Sequence, residues 1–195
     1  MFDLSYVITL LALNIAIFLL EVGFGGGFVK LFAFTPALAW QQPWTFVTAA
    51  FLHAGIMHLF FNMFALLMFG PLLEFKLGSN KFLGLYLAGG ILGNIGYMLT
   101  AADPSIPGLG ASGAIYTILG AMAVFEPNMI VFVGFLPLPM YLAGVFWFVT
   151  EFAFLGAGDF IARGAHLAGL ALGVAYAFYY KKKLEGKIRF IGGPF

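Results

Sequence analysis

The stretch PGLGASGAIYTILG, residues 107–120, sets a serine among small residues at the start of an apolar run. Ser112 can serve there in two ways. A serine at a helix start can cap the helix, because its side-chain oxygen accepts a hydrogen bond from an unpaired backbone amide. A serine can also be a catalytic nucleophile. The positions of the other polar residues decide between these two interpretations.

The composition is typical of a membrane protein. Of the 195 residues, 63% are hydrophobic and 9% are charged, and the mean hydropathy is +1.03. Soluble domains carry about a quarter charged residues, so we expect a lipid bilayer to surround the chain. The net charge of +1 argues against nucleic acid as a partner. Because cysteine is absent, thiol catalysis and cysteine-ligated metal sites are excluded, and we expect neither a metal nor a cofactor.

Six segments are candidates for membrane-spanning helices, which need about 20 mostly apolar residues. They are residues 4–22, 55–75, 82–101, 112–126, 133–156 and 164–181. Residues 23–54 are interrupted by glycines and prolines and are rich in aromatic residues, which suit a loop at the membrane interface. The sequence therefore predicts a single membrane domain over residues 1–195, an all-α bundle of six helices.

The basic residues predict the orientation of the chain. If both termini are cytoplasmic, the outer side holds only Lys30 and Arg163 and the inner side is richer in basic residues, as the positive-inside rule requires. The inner residues are Lys76, Lys81, Lys181, Lys182, Lys183, Lys187 and Arg189. Because no targeting extension is recognisable, we expect the membrane to be a prokaryotic cell membrane.

All three histidines lie within or beside predicted spans, where ionisable residues are functional candidates. His58 and Asn62 are four residues apart, so a helix presents both on one face. They could also be an interhelical hydrogen-bonding pair that only stabilises the bundle. His53 precedes His58 by five residues, about 140° around a helix, and we expect it outside their pocket.

The last predicted span carries His166, with Gly169 and Gly173 on the same helical stripe. Two glycines four residues apart let another helix approach closely. His166 therefore lies on the face best able to pack against a neighbouring helix. Taken alone, this pattern indicates helix packing.

The helix that begins at Ser112 is predicted to be short, because Pro127 disfavours its continuation. About fifteen residues span only about 22 Å, less than the roughly 30 Å apolar core of a bilayer. The preceding stretch AADPSIPGLGA, residues 101–111, can dip into the protein, provided that its backbone is sheltered or hydrated. Ser112 would then lie below the outer membrane surface, on the floor of a wet cavity.

These polar residues together fit an acyl-transfer site. Ser112 would attack a carbonyl, and His166 would take its proton and return it to the leaving amine. His58, Asn62 and backbone N–H groups would bind the developing oxyanion.

No carboxylate is expected to orient the base. The nearest in sequence, Asp159, precedes His166 by seven residues, so we predict a dyad rather than a triad. Glu151 is expected to be solvated or hydrogen-bonded near the outer end of its span. Tyr116, one turn after Ser112, could pack its ring against the imidazole.

Three motifs resemble those of the rhomboid family of intramembrane serine proteases in its minimal six-helix form. The serine motif G-x-S-G stands at residues 110–113, H-x-x-x-x-H-x-x-x-N at 53–62, and A-H-x-x-G-x-x-x-G at 165–173. They fall on three different predicted spans, in the family's order and spacing. The passage EFKLGSNKFLGLYLAGG, residues 74–90, also looks like the family's passage from the second to the third helix.

This resemblance implies a rhomboid-like bundle with a short, recessed fourth helix and a Ser112–His166 dyad. His58 and Asn62 would help to stabilise the oxyanion, and so would Gly110 of the serine motif. The implied substrates are transmembrane proteins, cleaved within or near a membrane-spanning segment. Family members favour a small residue at the cleaved bond and a locally unstable substrate helix.

Two further family positions bear on the prediction. Tyr116 matches the aromatic residue that packs on the catalytic histidine, and His53 matches a position that is not the base. One departure lies in the first long loop, where many members carry a Trp-Arg pair and this chain has Trp44-Thr45. The missing arginine leaves the anchoring of that loop open.

Two other functions compete with proteolysis. A catalytically silent rhomboid relative would bind membrane proteins without cutting them, but such relatives characteristically lack the serine or the histidine. A small transporter or channel would use broken helices and charges at midplane depth, yet no inverted repeat is visible. The aromatic fifth span is a candidate lateral gate for substrates, although its rings could simply face lipid.

Overall fold

The structure, a computed structural model, describes residues 5–157 and 161–191, and in these residues the chain is mainly helical. A two-stranded antiparallel sheet pairs β1 (Ile130–Val133) with β2 (Leu136–Pro139). The helices are α1 (Tyr6–Phe24), α2 (Gly26–Phe32), α3 (Thr45–Thr48), α4 (Ile56–Leu77), α5 (Ser79–Thr100), α6 (Ser112–Phe125), α7 (Met140–Ala153) and α8 (Arg163–Ile191). The described chain is a helical bundle with one small hairpin.

The helices differ in their capacity to cross a bilayer. Among the described residues, α1, α4 and α5 are long and apolar enough to span a membrane. α6 and α7 are apolar but contain 14 residues each. That length is about 21 Å, shorter than an apolar core of about 30 Å. α8 extends to Ile191, ten residues past the predicted end at 181.

The prediction of a helix over residues 133–156 is wrong at both ends. Gly134, with φ of +63°, turns the chain between the two strands. Pro137 and Pro139 pair across the hairpin with Phe132 and Ile130. Proline disfavours a helix interior because it lacks an N–H and clashes with the preceding turn. α7 therefore begins only after Pro139 and ends at Ala153.

The interfacial loop is held by two side-chain hydrogen bonds and one β-bridge. Trp44 donates its indole N–H to the carbonyl of Leu31 at 2.9 Å, and Thr48 donates to the carbonyl of Phe32 at 2.8 Å. Phe34 forms a β-bridge with Gly108. The loop therefore has anchors that do not need the missing arginine, and it is tied directly to the segment that precedes Ser112.

α6 is the central helix, and it packs against α4, α5, α7 and α8. A Cβ added at Gly169 would lie 2.2 Å from the carbonyl oxygen of Gly113, and one added at Gly173 would lie 2.0 Å from that of Thr117. The backbone of α8 is thus in direct contact with that of α6. This approach brings the first turns of the two helices together.

Candidate active site

Ser112 and His166 meet where the first turns of α6 and α8 face each other. The hydroxyl oxygen of Ser112 lies 2.8 Å from Nε2 of His166. The cap residue of α6 is Ala111, and the helix start has no side-chain capping bond. The serine side chain therefore interacts with the histidine and does not cap the helix.

Tyr116 fixes the plane of the imidazole. Its ring stacks on that of His166 with centroids 4.2 Å apart and an angle of 4° between the planes. Because Tyr116 follows Ser112 by one helical turn, the same face of α6 carries both the serine and the platform for the histidine.

A carboxylate does lie beside His166, which corrects the expectation that none would. Oε1 of Glu151, near the end of α7, is 2.9 Å from Nδ1 of His166. The same oxygen accepts a hydrogen bond from the hydroxyl of Tyr116 at 2.6 Å. Arg163 lies 3.4 Å from the other oxygen of Glu151. Glu151 is only 7% exposed, so of the two expectations for this residue the structure matches the hydrogen-bonded one and not the solvated one.

The spacing in the sequence did not indicate this contact, because Glu151 precedes His166 by fifteen residues. In the structure the last turn of α7 lies next to the first turn of α8, where the two side chains meet. The signal was available, because Glu151 is the one carboxylate in the fifth predicted span and intramembrane carboxylates mark functional sites. Asp159, the carboxylate weighed earlier, lies outside the described residues.

His58 and Asn62 lie on the opposite side of the serine, on α4. Asn62 donates its side-chain amide to the backbone carbonyl of His58 at 3.0 Å. Nδ1 of His58 accepts from the amide of Ala54 at 3.3 Å. Both hydrogen bonds are local to the start of α4, so this geometry does not match the alternative of an interhelical pair.

Gly110 makes room for the ring of His58 and does not offer its amide. Its φ is +127°, a conformation that L side chains rarely adopt. A Cβ there would lie 2.6 Å from Cε1 of His58. Its N–H already donates to the carbonyl of Ala49 at 2.9 Å. The amide of Gly110 is therefore engaged and not available to an oxyanion, whereas the first-turn amides of α6 have no partner within the helix.

His53 is separate from the cleft, but not because of helical phase. α4 begins at Ile56, so His53 precedes it. Its backbone amide donates to the carboxylate of Glu21 on α1 at 3.0 Å, and its ring lies edge-on to that of His58. Burial, together with the nearby His58, lowers the pKa of His53 to about 3, so the ring is neutral near pH 7.

An open cleft of about 810 Å³ connects these groups. Its polar residues include His58, Asn62, Ser112, Tyr116 and His166, together with Tyr97. Its walls are apolar and largely aromatic, and include Phe61, Phe64, Phe69, Leu119 and Trp147. The arrangement is a serine hydroxyl beside an imidazole in a cleft whose apolar walls suit an apolar peptide.

Comparison with known proteins identifies the family of this chain. Residues 40–183 match the family model described as the rhomboid domain. The chain belongs to the rhomboid family. The family membership expected from the three motifs is thereby confirmed. The chain is an integral membrane protein with a polytopic, mostly helical fold.

Several rhomboids align with most of this chain. Rhomboid-like protease 3 of Toxoplasma gondii is 33% identical over 153 residues, which are 78% of this chain and 57% of that protein. Rhomboid protein 1, mitochondrial, of Saccharomyces cerevisiae is 34% identical over 149 residues, 71% and 42% of the two chains. The Bacillus subtilis rhomboid YdcA is 34% identical over 145 residues, 73% and 69%. This rhomboid therefore spans about half the length of the first two relatives.

Proposed function

We propose that this rhomboid is a serine endopeptidase that cleaves membrane-spanning segments of other membrane proteins. The observation that carries the proposal is the 2.8 Å approach of Ser112 and His166 inside an open cleft with apolar walls. A nucleophile within hydrogen-bond reach of its base is the geometric signature of covalent acyl transfer.

In this mechanism, Oγ of Ser112 attacks the scissile carbonyl carbon while its proton passes to Nε2 of His166. The carbonyl oxygen becomes an oxyanion, which accepts hydrogen bonds from the backbone amide of Ser112 and the side chains of His58 and Asn62. The C–N bond breaks as His166 returns the proton to the leaving amine. Water then attacks the acyl carbon and gives a proton to Nε2 of His166, and the ester bond to Oγ of Ser112 breaks as His166 passes that proton to the serine.

The apolar walls define the substrate class. An intact helix keeps its carbonyls in i→i−4 hydrogen bonds, so a bound segment must unwind before Ser112 can reach its backbone. The substrate must therefore have apolar side chains and a backbone that can unwind. A membrane-spanning segment with a locally unstable helical stretch has both properties. α7 is the proposed entry gate, since Trp147 lines the cleft while Phe148 and Phe152 are exposed on the same helix.

The proposal includes a topology. The six spans are α1, α4, α5, α6, α7 and the apolar part of α8, with α6 recessed and both termini in the cytoplasm of a prokaryotic cell. The single domain covers residues 1–195. Because both the serine and the histidine are present, cleavage is favoured over silent binding.

The test is cleavage of a single-span reporter by the purified protein in proteoliposomes. The Ser112→Ala variant should remain folded and lose cleavage, because it lacks the nucleophile. Ser105→Ala is the matched control, since Ser105 lies in an exposed loop and bonds only to Asp103 among the contacts described. Cleavage by Ser112→Ala at the wild-type rate would refute the serine mechanism.

A further inference from the structure

We propose that Glu151 is a positioning residue for the base, so that Ser112, His166 and Glu151 form a triad assembled from three helices. This inference rests on the proposed function. It concerns a residue on α7, whereas the serine and the histidine are on α6 and α8.

Glu151 contacts His166 at Nδ1, the ring nitrogen that faces away from Ser112. Nε2 of His166 faces the hydroxyl of Ser112, while Nδ1 is buried and has no aligned hydrogen bond of its own. Oε1 of Glu151 lies 2.9 Å from that Nδ1 atom. The distance is that of a hydrogen bond, and a small rotation of the ring or the carboxylate would align it.

The tautomer of the imidazole gives this contact its chemical role. Nε2 can take a proton from Ser112 only if the neutral ring carries its proton on Nδ1. A carboxylate next to Nδ1 favours that tautomer and also stabilises the imidazolium that forms during attack. Without the carboxylate, nothing described near Nδ1 selects the reactive tautomer over the unreactive one.

Other groups hold the carboxylate in place. Tyr116 on α6 donates its hydroxyl to Oε1 at 2.6 Å and stacks its ring on the imidazole. Arg163, at the start of α8, lies 3.4 Å from Oε2. A buried charge is tolerated when it is paired and hydrogen-bonded, and Glu151 has both kinds of partner. Tyr116 therefore bonds to the carboxylate and packs on the base at the same time.

Among residues 5–157 and 161–191, the charged and titratable groups around His166 are few. They are Glu151 on α7, Tyr116 on α6, Arg163 on α8 and His58 on α4. Glu151 is the negative one among them. Its removal should therefore destabilise the imidazolium that forms during attack.

The test compares Glu151→Gln and Glu151→Asp with the wild type. A fluorophosphonate reports on Ser112 without a docked substrate, because Oγ forms a bond to phosphorus, fluoride leaves and the serine proton passes to His166. We expect Glu151→Gln to lower the labelling rate and kcat by at least about tenfold, and by less than the roughly 10⁴-fold loss of an aligned triad carboxylate. KM for the reporter should stay within about twofold, since Glu151 does not line the cleft.

Three readouts separate positioning from a structural role. The acidic limb of the kcat/KM profile should move to lower pH in Glu151→Gln, and Glu151→Asp should recover part of the rate. The ¹⁵N shifts of the His166 ring should move toward the Nε2–H tautomer, a result that needs no activity and can be read even in a slow variant. Glu126→Gln is the matched control, because Glu126 pairs with Lys76 away from the cleft.

The outcomes separate this inference from the proposed function. If the wild type neither cleaves nor is labelled at Ser112, the proposed function fails. If Ser112-dependent activity is present but Glu151→Gln keeps the wild-type rate, pH limb and ring shifts, only the role of Glu151 is overturned. A loss of activity with unchanged pH limb and unchanged ring shifts also overturns it. If Glu151→Gln does not fold, Glu151→Asp and Tyr116→Phe are measured by the same three readouts.

Discussion

Gly169→Ala should move the two halves of the candidate site apart while retaining every side chain of that site. A Cβ at this position would lie 2.2 Å from the backbone oxygen of Gly113. Contacts under 3.0 Å are essentially never seen for a Cβ, so α8 must move back by at least about 0.8 Å at this turn. A backbone oxygen on the central helix cannot swing aside as the end of a flexible side chain can.

His166 lies one turn before Gly169 on the same helix, so it moves with it. The 2.8 Å approach to Ser112 would lengthen to about 3.6 Å, which is no longer a hydrogen bond. A misplacement of about 1 Å can cost about 10²-fold in rate. We therefore expect cleavage and fluorophosphonate labelling of Gly169→Ala to fall by about 10²-fold, with a stability loss of about 1–3 kcal/mol from overpacking.

The matched control is Gly84→Ala on α5. No heavy atom lies within 4 Å of a Cβ built at Gly84, and alanine is the better helix former by about 0.5–1 kcal/mol. This variant should cleave at the wild-type rate and unfold at the same or a higher temperature. Cleavage by Gly169→Ala at the wild-type rate would refute the claim that direct backbone contact between α6 and α8 sets the spacing of the serine and the histidine.

Three other predictions follow from single contacts. Gly110→Ala should lower the rate at which the fluorophosphonate labels Ser112 at least about tenfold. The added Cβ would lie 2.6 Å from the ring of His58, and the φ of +127° at this position favours glycine. An unchanged labelling rate would contradict this prediction. Trp44→Phe should cost about 1 kcal/mol by losing the bond to Leu31, and an unchanged unfolding temperature would contradict the loop anchor. Below about pH 6.5 an unfolded histidine takes up a proton, whereas burial lowers the pKa of folded His53 to about 3. The free energy of unfolding should therefore fall as the pH drops from about 6.5 towards 3. The contribution of His53 to this fall is at most about 1.4 kcal/mol per pH unit. His53→Gln should flatten that slope in thermal unfolding followed across this pH range, and an equal slope in the two proteins would count against it.

The close approach of α6 and α8 was predictable from the sequence, because it depends on a local pattern. Gly169 and Gly173 recur at helical spacing after His166, and that pattern alone indicates a face that a neighbour can press against. The short helix after Ser112 was also predictable, since Pro127 limits it from the sequence itself.

The position of Glu151 was not predictable in the same way. Its contact with His166 depends on where α7 ends and how the following connection returns, and both are set by tertiary packing. The hairpin before α7 was missed because VFVGFLPLP, residues 131–139, is as apolar as a spanning helix. Its two prolines argued against a continuous helix through this stretch. The engaged amide of Gly110 likewise depends on Ala49, which is distant in sequence.

Whether Ser112 and His166 act together is decided by the rate at which a fluorophosphonate labels Ser112 in purified wild-type protein and in His166→Ala, with the site of the adduct located by peptide mass spectrometry. We expect an adduct on Ser112 in the wild type and a labelling rate at least about 10²-fold lower without the histidine, in line with the contribution of a general base. An adduct at another residue, or equal rates in the two proteins, would contradict it.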